Sequence, residues 1–392
     1  MKIKDTVLFI FYRIILCRIS FLGIFRSNKP LVFSFGITCA CQSNCKTCRI
    51  GFEYKRNPAK VKDQLSLIEI EKIFKRIGRV YFFNITGGEP YLREDIVEIV
   101  DLACKYLRPK IIHIPTNALL PQLIHDKTKA ILKIIKDNGL DIVLTVKPSI
   151  DGIGSKHDEI RGVKGNFDKL LETIKLLKGF SEEFDNFHLE LGTVISVFNI
   201  GELDKIEDFV HSLSIESYRN EIAENRSEFF NIGDYITPTA EEYQKLVAKF
   251  SCKIEKNICF KNRFTRMSEA FRLVYYDLAI RILKEKRQVI PCYAGISSIH
   301  LNFDGQLWPC CVLGYKKSFG NLRDYDYDFK KILNTKKSKS ILNDIKKKNC
   351  YCPLANQSYA NLLFHFPSLI NIGFKIIKYC LFTPFKSRIR KE

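Results

Sequence analysis

The 392-residue sequence has no charge-free apolar run long enough to cross about 30 Å of hydrocarbon. The longest candidates lie at its two ends. Residues 7–25 are interrupted by Arg13 and Arg18, and a guanidinium in mid-bilayer is costly. No small-residue cleavage site follows that stretch, so it is expected to stay in the mature protein. Internal repeats are absent, as are aromatic-basic RNA-binding motifs and zinc fingers of the nucleic-acid kind, so no nucleic-acid partner is expected. Acidic residues are in deficit: 43 Asp and Glu face 63 Lys and Arg, for a formal charge of +20. Such an excess attracts phospholipid or phosphorylated substrates, although a Lys-rich compositional bias produces the same sum. At 46% hydrophobic residues, the chain can build one large domain and a smaller one, each with its own core.

The fourteen cysteines are grouped. Cys39, Cys41, Cys45 and Cys48 crowd one stretch, Cys292, Cys310 and Cys311 a second, Cys350 and Cys352 a third. Cys17, Cys104, Cys252, Cys259 and Cys380 stand alone and read as buried small hydrophobes. The N-terminal stretch reads as an amphipathic helix, with Phe9, Ile10, Leu16 and Phe21 apolar and Arg13, Arg18 and Arg26 reaching toward phosphate. Residues 362–385 are similar, carry Lys375 and Lys378, and are followed by Lys386, Arg388, Arg390 and Lys391. Two readings stand side by side: both ends hold the protein on an anionic membrane surface, or both are helices packed on its own body.

Between the ends, apolar strands alternate with amphipathic helices, the pattern of an α/β fold. Strands are predicted at 31–37, 80–85, 111–115, 142–146 and 189–197, and helices at 65–77, 95–106, 127–137 and 167–177. This alternation predicts a parallel sheet or partial barrel with its chemistry on loops at the strand C-terminal ends. After about residue 231 the pattern changes to helices at 240–250 and 267–286, then to the second cysteine group. The charge-dense segment 221–228 reads as a solvated helix face, with Arg226 a candidate for substrate phosphate or carboxylate. Residues 335–348, rich in lysine, read as another solvated face.

Cys41-Gln42-Ser43-Asn44-Cys45-Lys46-Thr47-Cys48 puts three thiolates on one short loop directly after a predicted strand. Thiolates hold iron-sulfur clusters, and three of them on four irons leave one iron open to a small molecule. Structural zinc is the alternative, with Cys39 as fourth ligand. Thr86-Gly87-Gly88-Glu89-Pro90 follows the second strand, Thr116-Asn117 the third and Ser149-Ile150-Asp151-Gly152 the fourth.

In these motifs, and in their order, the chain resembles the radical S-adenosylmethionine (radical SAM) superfamily. The resemblance implies a partial (β/α)6 TIM-like barrel and a catalytic 4Fe-4S cluster on Cys41, Cys45 and Cys48. It implies that Gly87, Gly88 and Glu89 receive the amino group of S-adenosylmethionine, and that Thr116, Asn117, Ser149 and Asp151 reach its ribose and carboxylate. Thr47 departs from the family, where the residue before the third cysteine is commonly aromatic. His157, Asp158 and Arg161 just beyond are read as a loop ion-pair network.

The segment from Asn302 to Cys310, with its Asp304-Gly305 turn, resembles the opening of a SPASM or twitch extension. That implies a small C-terminal iron-sulfur domain with one auxiliary 4Fe-4S cluster on Cys292, Cys310, Cys350 and Cys352, Cys311 being a spare thiol. The alternative for that hairpin is zinc or no metal. The expected organisation is an N-terminal segment at 1–29, a core at 30–235, a helical connection at 236–291, the cluster domain at 292–358 and a basic apolar tail at 359–392. The implied activity is reductive cleavage of S-adenosylmethionine to methionine and a 5′-deoxyadenosyl radical, which abstracts hydrogen from a substrate the sequence does not name. An electron donor such as flavodoxin or ferredoxin is implied as partner. The expected location is cytoplasmic, at the inner face of the membrane if the termini bind lipid. Three functions compete: an enzyme acting on a peptide or small metabolite, one acting on a lipid or lipid-linked sugar, and a non-catalytic cluster-binding protein.

Overall fold

Alternation of large apolar side chains builds the first strand, β1 (Val32–Thr38), in which Phe33, Phe35 and Ile37 are buried. Five more strands lie beside it in chain order: β2 (Phe82–Gly87), β3 (Ile111–Thr116), β4 (Val143–Pro148), β5 (Phe187–Ile195) and β6 (Ser217–Ile222). All neighbouring pairs are parallel. The computed structural model describes residues 3–24, 29–215, 217–261 and 263–381.

Helices cover the outer face. Leu67–Ile77 starts at a Ser66–Glu69 capping box and buries Ile70, Ile73, Phe74 and Ile77, the spacing of one helical stripe. Phe74 packs edge-on against Phe33, Phe35 and Phe83. Pro121–Asp137, Asn166–Glu183 and Leu203–Ser212 continue the layer. The stretch predicted as one helix at 95–106 runs as Ile96–Leu102 and then a wider turn at Ala103–Leu107.

Beyond the free edge of β1 the sheet continues. β7 (Ser298–Leu301) pairs parallel with β1, and β8 (Gln306–Trp308) and β9 (Gly320–Asn321) follow antiparallel, giving nine strands in the order β6-β5-β4-β3-β2-β1-β7-β8-β9. The cysteine-bearing C-terminal region is thus hydrogen-bonded to the barrel rather than tethered to it. β6 was not among the sequence-predicted strands, because its Arg219 and Glu221 face inward, where apolar residues would have signalled a strand.

The terminal helices pack with their polarity reversed from expectation. In Ile3–Leu22, Arg13 is buried and donates to the carbonyls of Lys29 (3.1 Å) and Arg79 (2.7 Å), while Arg18 donates to that of Phe364 (3.0 Å). Neither guanidinium points at solvent phosphate. Leu8, Phe11, Tyr12, Ile15 and Leu22 are exposed instead. Arg26 lies outside the described residues. The C-terminal stretch is two helices, Ala355–Phe364 and Phe366–Leu381, bent by 96°, and the second exposes Phe366, Ile370, Phe374 and Ile377. No single helix among the described residues is long and apolar enough to cross a membrane. Of the lone cysteines, Cys17 and Cys104 are buried as expected, whereas Cys252 is exposed.

Candidate active site

The strands all end on one side, and the loops there enclose a cavity of about 260 Å³. After β1 the chain turns into the three-cysteine loop, which neighbouring backbone clamps in place. Asn44 N and Lys46 N donate to the carbonyls of Arg161 and Ile160, Arg49 N to that of Phe229, and Asn231 Nδ2 to that of Thr47. Cys41, Cys45 and Cys48 all line the cavity. Burial raises all three thiols, Cys41 to about 11, and Cys41 and Cys48 both lie in the field of Cys45. Buried thiols crowded in this way ionise when a soft metal takes the place of their protons, so the donor set fits an iron-sulfur cluster. The Arg161 guanidinium stays charged despite burial, because the Cys45 thiol and the Asp151 carboxylate outweigh its desolvation. It is the local counter-charge to the thiolates.

Cys39 does not join this group. It lines a second, smaller cavity with Lys60, Phe303 and Tyr315, and its charged neighbours are Lys60, Asp304 and Asp63. The fourth ligand of a zinc site is therefore directed elsewhere.

Gly87 and Gly88 line the cavity and serve the chain as well as the space they border. A β-carbon at Gly87 would lie 2.3 Å from the carbonyl oxygen of Thr38, and one at Gly88 would lie 2.2 Å from that of Ala40. Only glycine lets the end of β2 close on the cysteine loop, where Gly88 N donates to Thr38 O and Glu89 N to Ala40 O. Glu89 is buried and accepts hydrogen bonds from Asn117 N (2.7 Å), Thr116 Oγ1 (3.0 Å) and Tyr91 N (3.2 Å). Burial outweighs these bonds and raises its carboxyl to about 7. Thr116 and Asn117 thus spend their donors on Glu89, and Asn117 Nδ2 also reaches Gln42 Oε1 (3.2 Å) and lies 3.9 Å from Cys41 Sγ.

Ser149 lines the cavity at the end of β4. Asp151 does not. It is held by Arg161 (3.1 Å) and Val194 N (2.8 Å), so geometry gives it an orienting position behind the cavity wall rather than one facing it. His157 accepts from Asp151 N at 3.2 Å, and burial lowers it to about 4, which keeps it neutral. Asp158 binds the backbone N–H groups of Gly165 and Phe167.

At the far end of the cavity the C-terminal thiols form a second neighbourhood. Burial pushes Cys292 up to about 11 and Cys310 to about 12, and raises Cys350 and Cys352 too. Cys310 feels both Cys292 and Cys350, while Cys352 feels Cys310 and Cys292. Cys311, next to Cys310, is set chiefly against Arg226 and Glu228, and it also feels Cys310 and Glu224.

Residues 221–228, expected as a solvated helix face, form the end of β6 and a buried loop. Glu221, Glu224, Arg226 and Glu228 all line the cavity, with Lys147 and His300 opposite or beside them. Glu221 pairs with Lys147 at 3.1 Å. Lys147 and His300 carried no sequence signal at all, and the charge density of 221–228 was a signal read with the wrong burial.

Comparison with known proteins accords with this arrangement. The model of the radical SAM superfamily matches residues 36–211, and that of an iron-sulfur cluster-binding domain, SPASM, matches residues 292–353. The chain thus carries a radical SAM domain followed by a SPASM domain. Among curated relatives, the antilisterial bacteriocin subtilosin biosynthesis protein AlbA of Bacillus subtilis is 26% identical over 311 residues, 76% of this chain and 59% of AlbA. The chain therefore spans less than two thirds of that relative's length. The AdoMet-dependent heme synthase of Methanosarcina barkeri is 22% identical, over 77% of this chain and 82% of that protein. Among solved structures, Streptococcus suis SuiB bound to S-adenosylmethionine superposes with a TM-score of 0.55 at 18% identity, covering 80% of this chain and 68% of SuiB. Native anSMEcpe with bound AdoMet gives 0.54 at 16% identity, covering 90% and 97%. These likenesses establish the fold of the chain. The two matched domains indicate 4Fe-4S clusters as its metal groups.

The close approach at Gly88 predicts an asymmetry between two alanine substitutions. Gly88→Ala should cost about 1–3 kcal/mol of unfolding free energy through overpacking against the Ala40 carbonyl. Gly179→Ala, with nothing within 4 Å in the helix Asn166–Glu183, should be neutral or stabilise by up to about 1 kcal/mol. Denaturant titration of both variants measures the difference.

Proposed function

We propose that the cavity is the reaction chamber of an enzyme that cleaves S-adenosylmethionine reductively, with Cys41, Cys45 and Cys48 holding its cluster. The observation that carries this reading is the juxtaposition of those three cavity-lining thiols with the Glu89 carboxylate, Asn117 spanning from Glu89 to Cys41. Bound there, the cluster and S-adenosylmethionine supply one-electron cleavage of a carbon–sulfur bond and hydrogen abstraction from carbon. The chain's own residues hold and orient. Glu89 offers a carboxylate to the amino group of the cofactor, and Thr116 and Asn117 fix its rotamer. Ser149 stands on the adjacent strand end within reach of the same space, and Arg161 balances the thiolate charge. Cys292, Cys310, Cys350 and Cys352 would hold an auxiliary cluster, and their burial keeps water from it. The substrate enters the same cavity between the two cysteine groups. A reductant of the flavodoxin or ferredoxin kind supplies the electron.

A second reading concerns where the enzyme works. The N-terminal helix turns Arg13 and Arg18 inward, both terminal helices turn large apolar side chains outward, and the chain carries a charge of +20. This is the arrangement of a surface that rests on anionic lipid, apolar groups entering the headgroup boundary while basic residues meet phosphate.

Reconstituted protein with dithionite and S-adenosylmethionine should release 5′-deoxyadenosine. Replacing Cys41, Cys45 and Cys48 by Ala should abolish the release while the iron bound at the C-terminal cysteines remains. Release unchanged by the triple substitution would exclude the assignment. Binding of S-adenosylmethionine should tighten as pH rises through about 7, since an ammonium needs the ionised form of Glu89 and burial holds that carboxyl protonated below this pH. Glu89→Gln should remove that pH response and about 2 kcal/mol, roughly 30-fold in affinity, as read by equilibrium dialysis on the cluster-loaded protein. The full chain should sediment with phosphatidylglycerol vesicles more than with phosphatidylcholine vesicles, and Phe11→Ser with Phe374→Ser should lower that binding at least about tenfold. Equal sedimentation with both vesicles would exclude the membrane reading.

A further inference from the structure

The loop after β6, residues 223–231, carries three charged side chains into the cavity and is fastened on both sides. Toward the three-cysteine loop it is held by Phe229 O and Asn231 Nδ2, and toward the C-terminal cysteines by Ser227 N to Val312 O (3.1 Å) and Glu228 N to Cys311 O (3.4 Å). Its side chains therefore stand between the two thiol groups, where a substrate must lie to meet both.

The charges there do not balance. On the neighbouring strands β5 and β6 the carboxylates have partners: Glu221 has Lys147 at 3.1 Å, and Glu190 has Ser217 at 2.7 Å and Arg219 at 3.4 Å. Glu224 differs. Its side chain is 6% exposed, neither oxygen accepts a hydrogen bond, and the nearest cationic atom, Arg226 Nε, is 3.7 Å away and itself without a hydrogen-bond partner. Glu228, 7% exposed, lies 3.5 Å from His300 Nε2, which also lacks a hydrogen bond, and burial favours the neutral form of that imidazole. An ionised carboxylate buried with no donor is strongly disfavoured, because nothing replaces the water it has given up. Burial raises the Glu224 carboxyl to about 7, and once it is ionised the two carboxylates exceed the one guanidinium by one negative charge. The flanking thiolate sites add more of the same sign.

We propose that Glu224, with Glu228 beside it and Arg226 as spacer, is the binding site for a protonated amine or guanidinium group of the substrate. The inference rests on the reading of this cavity as a reaction chamber and adds the chemical class of what enters it. A cationic group placed at Glu224 supplies the donors that both of its oxygens lack. It restores charge balance in the loop and fixes the neighbouring carbon chain between the two cysteine groups. His300 ties the site to a reporter, because its ring stacks on Trp308 at 5.0 Å and Trp308 is the single tryptophan of the chain.

The test uses the full cluster-loaded chain saturated with S-adenosylmethionine, and n-butylammonium chloride as probe. Trp308 emission should change saturably with n-butylammonium and should not change with n-butanol or with equal sodium chloride. Glu224→Gln, nearly isosteric, should raise the half-saturating concentration at least about tenfold, and Glu228→Gln should raise it by a smaller factor. An equal response to sodium chloride, or a response unchanged in both variants, overturns the proposal. So does a loss of S-adenosylmethionine affinity in Glu224→Gln as large as the loss for n-butylammonium, since the carboxylate would then serve the cofactor. As a second readout, perdeuterated n-butylammonium should transfer deuterium into 5′-deoxyadenosine under reduction more than perdeuterated n-butanol does, and Glu224→Gln should erase the difference. Absence of 5′-deoxyadenosine altogether would count against the proposed reaction, while the fluorescence titration would still decide the cation site.

Discussion

The parallel pairing of β1 with β2 is the constraint on which the centre of this molecule depends. It brings the Thr38 and Ala40 carbonyls against the N–H groups of Gly88 and Glu89, at a separation that leaves no room for a β-carbon at either glycine. From that contact the rest follows by geometry. The cysteine loop is pressed against the strand end that carries Glu89, and β3 delivers Thr116 and Asn117 to the same carboxylate. Asn117 then bridges to the first thiol. A carboxylate held so firmly and yet so buried is poised to accept a cation and costs free energy until it does.

The second organising feature is the extension of the sheet past β1. Because β7 adds in parallel to the edge that a closed barrel would use, the C-terminal cysteines are hung from the catalytic sheet itself. The loop after β6 meets them from the opposite side. The cavity is therefore walled at both ends by thiols and along its flank by charge. Low dielectric inside makes each of those charges count for more than it would at the surface. Lys147 with Glu221 and Arg219 with Glu190 cancel one another, whereas the loop that carries Glu224 does not.

The terminal helices show how composition alone can mislead about direction. A helix with two arginines and several aromatics reads as basic side outward, but Arg13 and Arg18 donate to the backbone carbonyls of Lys29, Arg79 and Phe364, and a guanidinium whose N–H groups are bonded in this way tolerates burial. The outward face is left apolar as a consequence.

Much of the site was legible because it is local. Three cysteines within eight residues lie on one loop whatever the fold, and Gly87-Gly88-Glu89 and Thr116-Asn117 follow strands whose apolar alternation marks where loops must start. The chain's own residues thus determined the parallel α/β plan, the three-thiol loop and the presence of a second cysteine group. Long-range placement decided the remainder. Asp151 was turned to Arg161 instead of the cavity, Cys39 was separated from its three neighbours, and Cys311 was set against Arg226. Above all, a charged segment that reads as solvated became the buried flank of the chamber. Sequence spacing reports which side chains share a turn or a strand face; whether a charge is exposed depends on what other segments close over it, and those lie up to hundreds of residues away.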